Sequence, residues 1–199
     1  TNNSLTITSN KKIKTEIDLY KKMAIVRLEP TRPLLVMPKP KEITVTFSGL
    51  IPDQTYYLYK EKLHDPEIFT PDESGSYSLI LPTPRHRYLI LKTNPSTFHI
   101  DSNSATGGDC NDIGVWNAST NTCALSPTAT INETIEIDDG GITLDGGGRL
   151  ITHTDSIGIY ANEDPFENMQ NIIIKNVKVA GLDVGISVID ITGVTLDDV

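Results

Sequence analysis

The sequence lacks the features of a membrane-spanning protein and of a nucleotide-binding protein. Among its 199 residues no apolar run reaches the roughly 18 residues that a membrane-spanning helix needs. The glycines Gly146 to Gly148 are not followed by the Lys-Ser/Thr pair of a phosphate-binding loop. The first residues from Thr1 onward lack the basic start and the apolar segment of a signal peptide, and no initiator Met precedes them. Because this suggests a processed chain, we expect an extracellular or cell-surface protein from which a signal peptide has been removed.

Positive charge is scarce in the second half of the chain. Residues 101–199 contain 3 Lys and Arg against 16 Asp and Glu, a formal charge of −13, whereas residues 1–100 carry 14 against 10, or +4. Because phosphate binding needs clustered cations, this distribution argues against nucleic acid as a partner. It allows cation binding, and it allows attraction between opposite ends of neighbouring copies. A further interpretation is that these charges only keep the surface soluble.

Cysteine is also scarce, since Cys110 and Cys123 are the two present. No His or Cys neighbour completes a metal set with them, so zinc is not expected there. We predict a disulfide between them, worth about 3 kcal/mol in the chain-entropy model, and hence an oxidising compartment. The alternative is two reduced, buried thiols. Three Asn-x-Ser/Thr sequons are glycosylation candidates and are weakly consistent with a cell-surface setting. They begin at Asn2, Asn117 and Asn132.

The histidines are few and scattered, with no spacing typical of a metal site. We expect each to be an ordinary surface or core residue, and the three methionines do not cluster with them as a copper site would require. The four histidines are His64, His86, His99 and His153.

Residues 1–41 are expected to form short strands followed by a proline-rich linker. Polar and apolar residues alternate in Ser4–Thr8 and in Ile13–Leu19, which predicts strands. A helix over Thr15–Met23 is the alternative. An N-terminal strand can be a plain edge strand or a donor strand that completes a neighbour's sheet. Prolines, which remove backbone donors, mark the linker. They are Pro30, Pro33, Pro38 and Pro40.

Residues 42–104 are expected to form a β-sandwich, and the polar–apolar alternation of Ile43–Phe47 predicts one of its strands. Leu50–Tyr56 resembles the Leu-x-Pro-x-x-x-Tyr corner of fibronectin type III-like sandwiches, although Gln54 stands where that family often has Thr. The resemblance implies that the Tyr56 hydroxyl bonds back to the chain. Asp72–Tyr77, with its Asp-x-x-Gly-x-Tyr pattern, resembles the hairpin of prealbumin-like modules. The polar stretch Asn94–Gly108 is interpreted as the domain boundary.

The following segment, residues 105–133, is expected to be a cap that the disulfide staples. Repetitive β-structures need an atypical end unit over their first repeat. Trp116 lies between the two cysteines. It is expected either to cover that first repeat or to lie in a small core of the loop itself.

A repeat dominates residues 134–199. Gly141–Asp145 reads Gly-Ile-Thr-Leu-Asp, and Gly193–Asp197 reads Gly-Val-Thr-Leu-Asp, 52 positions later. A third version, Asn171–Lys175, lies 30 positions after the first and 22 before the last. A β-rich unit with this period is typical of a solenoid. Alternate apolar residues should point inward and stack in line. They are Ile142, Leu144, Ile172, Ile174, Val177, Val179, Val194 and Leu196.

These repeats resemble the right-handed parallel β-helix of the pectate-lyase-like superfamily, in particular its NosD-like repeats. The resemblance covers residues 134–199, about a third of the chain. With the preceding segments it implies an all-β protein, in which an N-terminal β-sandwich is followed by a short right-handed parallel β-helix with a disulfide-stapled cap. Such combinations are typical of prokaryotic surface proteins.

Enzymes of that superfamily cleave acidic polysaccharides with clusters of carboxylates, but no motif of theirs is matched here. The resemblance leaves Asp145, Asp197 and Asp198 as weak catalytic candidates, since paired carboxylates can act as acid and base. Asp residues at corners are more often turn formers. No cofactor is expected apart from structural calcium, whose candidate ligands are carboxylates. They are Asp138, Asp139, Asp155 and Asp183.

The leading hypothesis is an extracellular structural or surface protein without enzymatic activity. The sequence stops at Leu196–Val199 in or just after an expected strand, which would leave an open edge. Either the chain is part of a longer protein, or another copy covers this edge; the opposite charges of the two halves favour the second explanation. We expect copies to join head to tail through that edge and the N-terminal strand. The product would be a filament or a surface layer, with a role in adhesion. Its partners would then be further copies of the chain. A protein that binds or cleaves carbohydrate is the alternative.

Overall fold

The computed structural model describes residues 5–10, 13–19, 22–30, 43–81, 86–152, 157–163, 169–181 and 183–199, without the side chains of 29, 30, 81 and 86. Within these residues the chain forms 17 strands and one helix of four residues. The prediction of an all-β protein is therefore confirmed. Two compact units divide the chain, Thr1–Asn94 and Pro95–Val199.

The first unit contains eight of the described strands, arranged in two antiparallel sheets. They are β1 (Thr6–Ser9), β2 (Ile13–Leu19), β3 (Met23–Pro30), β4 (Ile43–Ser48), β5 (Tyr56–Lys60), β6 (Glu67–Phe69), β7 (Ser76–Leu81) and β8 (His86–Leu91). One sheet has the order β1-β4-β7 and the other β2-β3-β8-β5-β6. The alternation predicted for residues 43–47 buries every second residue of β4, with Val45 and Phe47 fully buried. One apolar cluster draws on both sheets, a sandwich-like arrangement.

One of the two predicted turn features of this unit is confirmed. The backbone N–H of Ile51 donates a hydrogen bond to the Tyr56 hydroxyl, at 3.0 Å, as the corner motif implied. At the second, the Asp72 carboxylate accepts bonds from the backbone N–H groups of Ser74 and Ser76, each at 2.9 Å, so a turn forms there. The expected hairpin is wrong, because the strands before and after this turn, β6 and β7, pair with β5 and β4 in different sheets.

The strands near the N-terminus pair within their own unit. β1 lies beside β4, and β3 lies between β2 and β8. The alternative helix over Thr15–Met23 is wrong for the described residues. Ile13–Leu19 is extended and forms a hairpin with β3, whose ladder satisfies the backbone groups that a helix would have satisfied internally. The proline-rich linker was expected from Glu29 to Lys41, but Glu29 and Pro30 form the end of β3 and pair with Lys14 and Ile13, since a strand tolerates proline at its end. Residues 31–41 and Asn2 lie outside the described residues.

In the second unit the strands of one sheet alternate along the chain with those of another. The elements are β9 (Thr97–Ile100), α1 (Cys110–Ile113), β10 (Gly114–Asn117), β11 (Thr122–Leu125), β12 (Thr134–Ile137), β13 (Thr143–Thr152), β14 (Ile157–Asn162), β15 (Ile173–Ala180), β16 (Val184–Ile189) and β17 (Thr195–Asp197). The sheet orders are β16-β14-β12-β9 and β10-β11-β13-β15-β17. Among these neighbours, β10 and β11 are antiparallel and the other pairs are parallel.

The three copies of the repeat lie side by side in register. Leu144 pairs with Ile174, which pairs with Leu196, so the predicted alignment of the copies is confirmed. Leu144 and Ile174 are fully buried. Leu196 was expected to be buried as well, but its side chain is 50% exposed. Within the described residues β17 is the last strand of its sheet, so Leu196 has a neighbouring strand on one side only.

The predicted disulfide between Cys110 and Cys123 is confirmed. It joins α1 to β11, and both cysteines are fully buried in the apolar cluster that also contains Leu144. Trp116, opposite Cys123 in the β10–β11 hairpin, packs against the same cluster. The stapled loop and the parallel strands therefore share one core.

The division between the units falls earlier than the end of the predicted sandwich at residue 104. The chain divides between Asn94 and Pro95, at the start of the predicted boundary stretch. Thr97–Ile100, which the sequence placed in the sandwich, forms a parallel ladder with Thr134–Ile137. The long-range pairing of β9 with β12 decides the assignment of this segment, and local alternation cannot detect it.

Candidate functional site

The four-stranded sheet of the second unit carries polar side chains on the face opposite the core. Successive residues of a strand point to opposite faces, so Ile135 and Ile137 of β12 enter the core while Thr134 and Glu136 do not. The parallel register places His99 of β9 directly beside Glu136. An imidazole and a carboxylate thereby become neighbours across two strands, although they are 37 residues apart in sequence.

Asp138, just past the end of β12, completes a group that we call the His99 cluster: His99, Glu136 and Asp138. Nδ1 of His99 lies 3.0 Å from Oδ2 of Asp138 and 3.3 Å from Oε2 of Glu136. One nitrogen or oxygen atom from each of the three residues lies within 4.8 Å of the others. The Glu136 side chain is 1% exposed, against 31% for His99. The cluster therefore combines a buried carboxylate with a partly accessible imidazole.

The backbone of His99 is fixed by Asp109. The His99 N–H donates to Oδ2 of Asp109 at 2.9 Å, and the Asp109 N–H donates to the His99 carbonyl at 2.7 Å. Asp109 immediately precedes the short helix that begins at Cys110. These two bonds and the β9–β12 ladder hold the His99 main chain beside the carboxylates.

The carboxylates around His99 raise its pKa above the ordinary value. The hydrogen bond to Asp138 is the largest cause, burial opposes it, and the charges of Asp138, Glu136 and Asp109 add to the increase. A protonated imidazole would donate its Nδ1 proton to Asp138, whereas a neutral one can present Nδ1 to a cation. The cluster can thus hold either a proton or a cation at the same position.

The sequence analysis did not detect this site, because it treated His99 as an ordinary residue. A signal was present: Thr97-Phe98-His99-Ile100 and Thr134–Ile137 share the pattern Thr, apolar, polar, Ile. Aligning them as two copies of one strand would have placed His99 beside Glu136.

Among the described residues, the calcium candidates do not come together as one site. Asp138 belongs to the His99 cluster, but that cluster contains neither Asp139 nor Asp183. Oδ2 of Asp139 instead accepts bonds from the backbone N–H and the hydroxyl of Ser102, at 2.8 and 2.6 Å. Asp155 lies outside the described residues.

Two of the catalytic candidates lie in one row across three strands. Asp145 of β13 pairs with Lys175 of β15, which pairs with Asp197 of β17. Oδ2 of Asp145 lies 3.2 Å from Nζ of Lys175, and Oδ1 accepts bonds from the Asn176 side chain and the Gly147 N–H. The row is therefore an alternation of negative and positive groups.

The surroundings of Asp145 suit an ionised acceptor. The hydrogen bond from Asn176 is the main cause that holds the pKa of Asp145 below its ordinary value; Gly147 and Lys175 act in the same direction, and burial acts against them. A general acid needs a raised pKa instead. Asp198, the third candidate, follows β17 with a positive φ of 50°, and its backbone carbonyl accepts a bond from the Val177 N–H.

The two described sequons present exposed asparagines. Asn117 ends β10, and its carboxamide oxygen accepts bonds from the N–H and hydroxyl of Ser119 within the same sequon. Asn132 is exposed just before β12, whereas the hydroxyl of its sequon residue Thr134 is buried and donates to the Ile157 carbonyl. Glycosylation at both asparagines stays a prediction.

Comparison of the chain with protein-family models, with curated proteins and with solved structures finds no match. The resemblance to pectate-lyase-like repeats therefore stays an expectation. Among the described residues no helix is long and apolar enough to cross a membrane.

Proposed function

We propose that this chain is an extracellular structural protein without catalytic activity, and that its second unit is a short parallel β-helix behind a sandwich domain. The observation that carries the proposal is the alternation of successive strands between two parallel sheets. A chain that passes repeatedly from one parallel sheet to the other and back forms a β-helix. We expect the winding to be right-handed, because crossover connections between parallel strands are almost always right-handed.

The disulfide supports the extracellular part of the proposal. It ties α1 to β11, and the antiparallel hairpin of β10 and β11 lies at the end of the five-stranded sheet. A hairpin of this kind covers the first parallel strand, as a cap does. Such disulfides persist in oxidising compartments and are rare in a reducing cytosol.

Charge supports a role in assembly. The division into units coincides with the division of charge: residues 1–94 carry 14 Lys and Arg against 10 Asp and Glu, and residues 95–199 carry 3 against 16. Formal charges of +4 and −13 favour contact between the first unit of one copy and the second unit of the next. Because such contacts are heterologous, they can propagate into a chain of copies.

Sedimentation velocity and electron microscopy of the purified chain would test the assembly. We expect oligomers that grow with protein concentration at about 0.01 M salt, where the Debye length is about 30 Å, and that dissociate at about 1 M, where it is about 3 Å. Monomers at all concentrations in both buffers would contradict the assembly. Assembly that is indifferent to salt would contradict its electrostatic basis.

The second candidate function is binding or cleavage of carbohydrate, favoured by the row of Asp145, Lys175 and Asp197. The −13 charge of the same unit would repel an acidic polysaccharide, and the lowered pKa of Asp145 suits no general acid. Release of reducing ends or unsaturated products from a glycan panel, abolished in Asp145→Ala and Asp197→Ala, would favour this function. Inactivity on the whole panel would leave the structural role as the better account.

A further inference from the structure

We propose that His99, Glu136 and Asp138 form a binding site for a divalent transition-metal ion of the zinc class. The site is independent of the assembly proposed above, since the three residues belong to one unit and require no second copy. It is carried by the distances between their donor atoms, the types of donor and the burial of Glu136.

The distances between the donor atoms fit a first-row metal ion. Zinc lies about 2.0–2.2 Å from imidazole nitrogen and carboxylate oxygen, which places neighbouring ligand atoms of a tetrahedron about 3.3–3.6 Å apart. Nδ1 of His99 lies 3.3 Å from Oε2 of Glu136 and 3.0 Å from Oδ2 of Asp138. An ion can therefore bind with small adjustments of these side chains.

The donor types exclude the harder cations as the preferred occupant. Calcium takes six to eight oxygen ligands, whereas imidazole with carboxylate suits zinc, iron and similar ions. Glu136 is 1% exposed, so its carboxylate would bind an ion largely shielded from water. The formal charge of −13 on this unit also favours the approach of a cation.

The main chain holds two of the three residues in place. His99 and Glu136 face each other across a parallel ladder, and the Asp109 carboxylate accepts a bond from the His99 backbone N–H. The backbones that carry the imidazole and the Glu136 carboxylate are therefore fixed beside each other.

The test uses the full chain, stripped of metal with a chelator and titrated with Zn²⁺ by calorimetry and with Co²⁺ by visible absorption. We expect one equivalent of each to bind, and Ca²⁺ to compete poorly. His99→Gln and Asp138→Asn should weaken Zn²⁺ binding at least about tenfold. Asp139→Asn is the matched control, because this adjacent carboxylate contacts Ser102 rather than the cluster. Circular dichroism would check that each variant is folded.

A measurement on the unaltered chain keeps the proposal falsifiable if the variants do not fold. Zinc should shift the imidazole signals of His99 in NMR spectra. Absence of Zn²⁺ and Co²⁺ binding at neutral pH, or binding that leaves the His99 signals unchanged, would overturn the site. Equal affinity of folded His99→Gln and the unaltered chain would do the same.

Discussion

Asp145 and Lys175 occupy facing positions on β13 and β15, and their charged atoms lie 3.2 Å apart. Asp197 occupies the same row on the next strand. Identical repeats would have placed three carboxylates side by side, and like charges at facing positions destabilise a sheet. The lysine of the middle copy separates the two aspartates, so the imperfection of the repeat has an electrostatic reason.

Asp145→Asn is expected to lower the free energy of unfolding by about 1 kcal/mol or less at pH 7, because the ion pair is partly exposed. The pKa of Asp145 is lowered in the folded chain, so its contribution is present above the unfolded pKa of about 3.9 and is lost as the pH falls through the folded value. Urea unfolding at pH 7 and at about pH 3 would measure this.

The difference in unfolding free energy between the unaltered chain and Asp145→Asn should be smaller at about pH 3 than at pH 7. Asp112→Asn, on the exposed side of α1, is the control and should change little at either pH. A difference that stays constant down to pH 3 would show that the carboxylate charge is not the cause.

Replacing both Cys110 and Cys123 by Ser is expected to destabilise the second unit by about 3 kcal/mol, because the closed loop no longer restricts the unfolded chain. Thermal unfolding with and without reductant would measure the loss. The unaltered chain should unfold at a lower temperature in reductant, whereas the unfolding temperature of the double variant should not change. Equal stability of the reduced and oxidised chains would contradict the expectation.

Tyr56→Phe is expected to cost about 1 kcal/mol, because it removes the hydroxyl that accepts the Ile51 N–H and keeps the ring. Tyr57→Phe, one position along the same strand and facing the other side, is the control. Urea unfolding would compare the two variants. A smaller cost at Tyr56 than at Tyr57 would mean that the corner bond contributes nothing.

Gly107→Ala and Gly141→Ala form a matched pair. Both glycines have positive φ, 63° and 74°, which costs another residue about 1–2 kcal/mol. A Cβ at Gly107 would lie 2.3 Å from the Trp116 ring, whereas one at Gly141 would meet nothing within 4 Å. Gly107→Ala should therefore destabilise by about 1–3 kcal/mol more.

Tryptophan fluorescence would report the effect of Gly107→Ala directly, since Trp116 is the single tryptophan of the sequence. An altered emission maximum is expected for Gly107→Ala and an unaltered one for Gly141→Ala. Equal stability of the two variants would mean that the ring can move aside.

Much of the fold could be predicted from local patterns. Alternation predicted Ile43–Phe47 as a strand, and the repeat predicted which residues of β13, β15 and β17 face one another. The disulfide followed from there being only two cysteines. Each of these features depends on nearby residues or on one strong repetition, which a single sequence displays.

The His99 cluster could not be found in the same way. Its residues belong to segments that the sequence analysis assigned to different domains, and only the pairing of β9 with β12 brings them together. The burial of Glu136 likewise depends on packing rather than on local pattern. Asp145 was recognised as a candidate, but its role as an ionised acceptor depends on Asn176 and Lys175, which its own repeat does not contain.

The register of the repeat has a practical consequence. Copies one and two are 30 residues apart and copies two and three are 22 apart, yet Leu144, Ile174 and Leu196 still align. Two of the eight additional residues are taken up within β13, between Asp145 and Arg149, and the other six lie between β13 and β15, yet the sheet stays in phase. A foreign peptide inserted between β13 and β15 should likewise leave these strand pairs in register. This stretch of the chain is therefore suited to carry an epitope or a label.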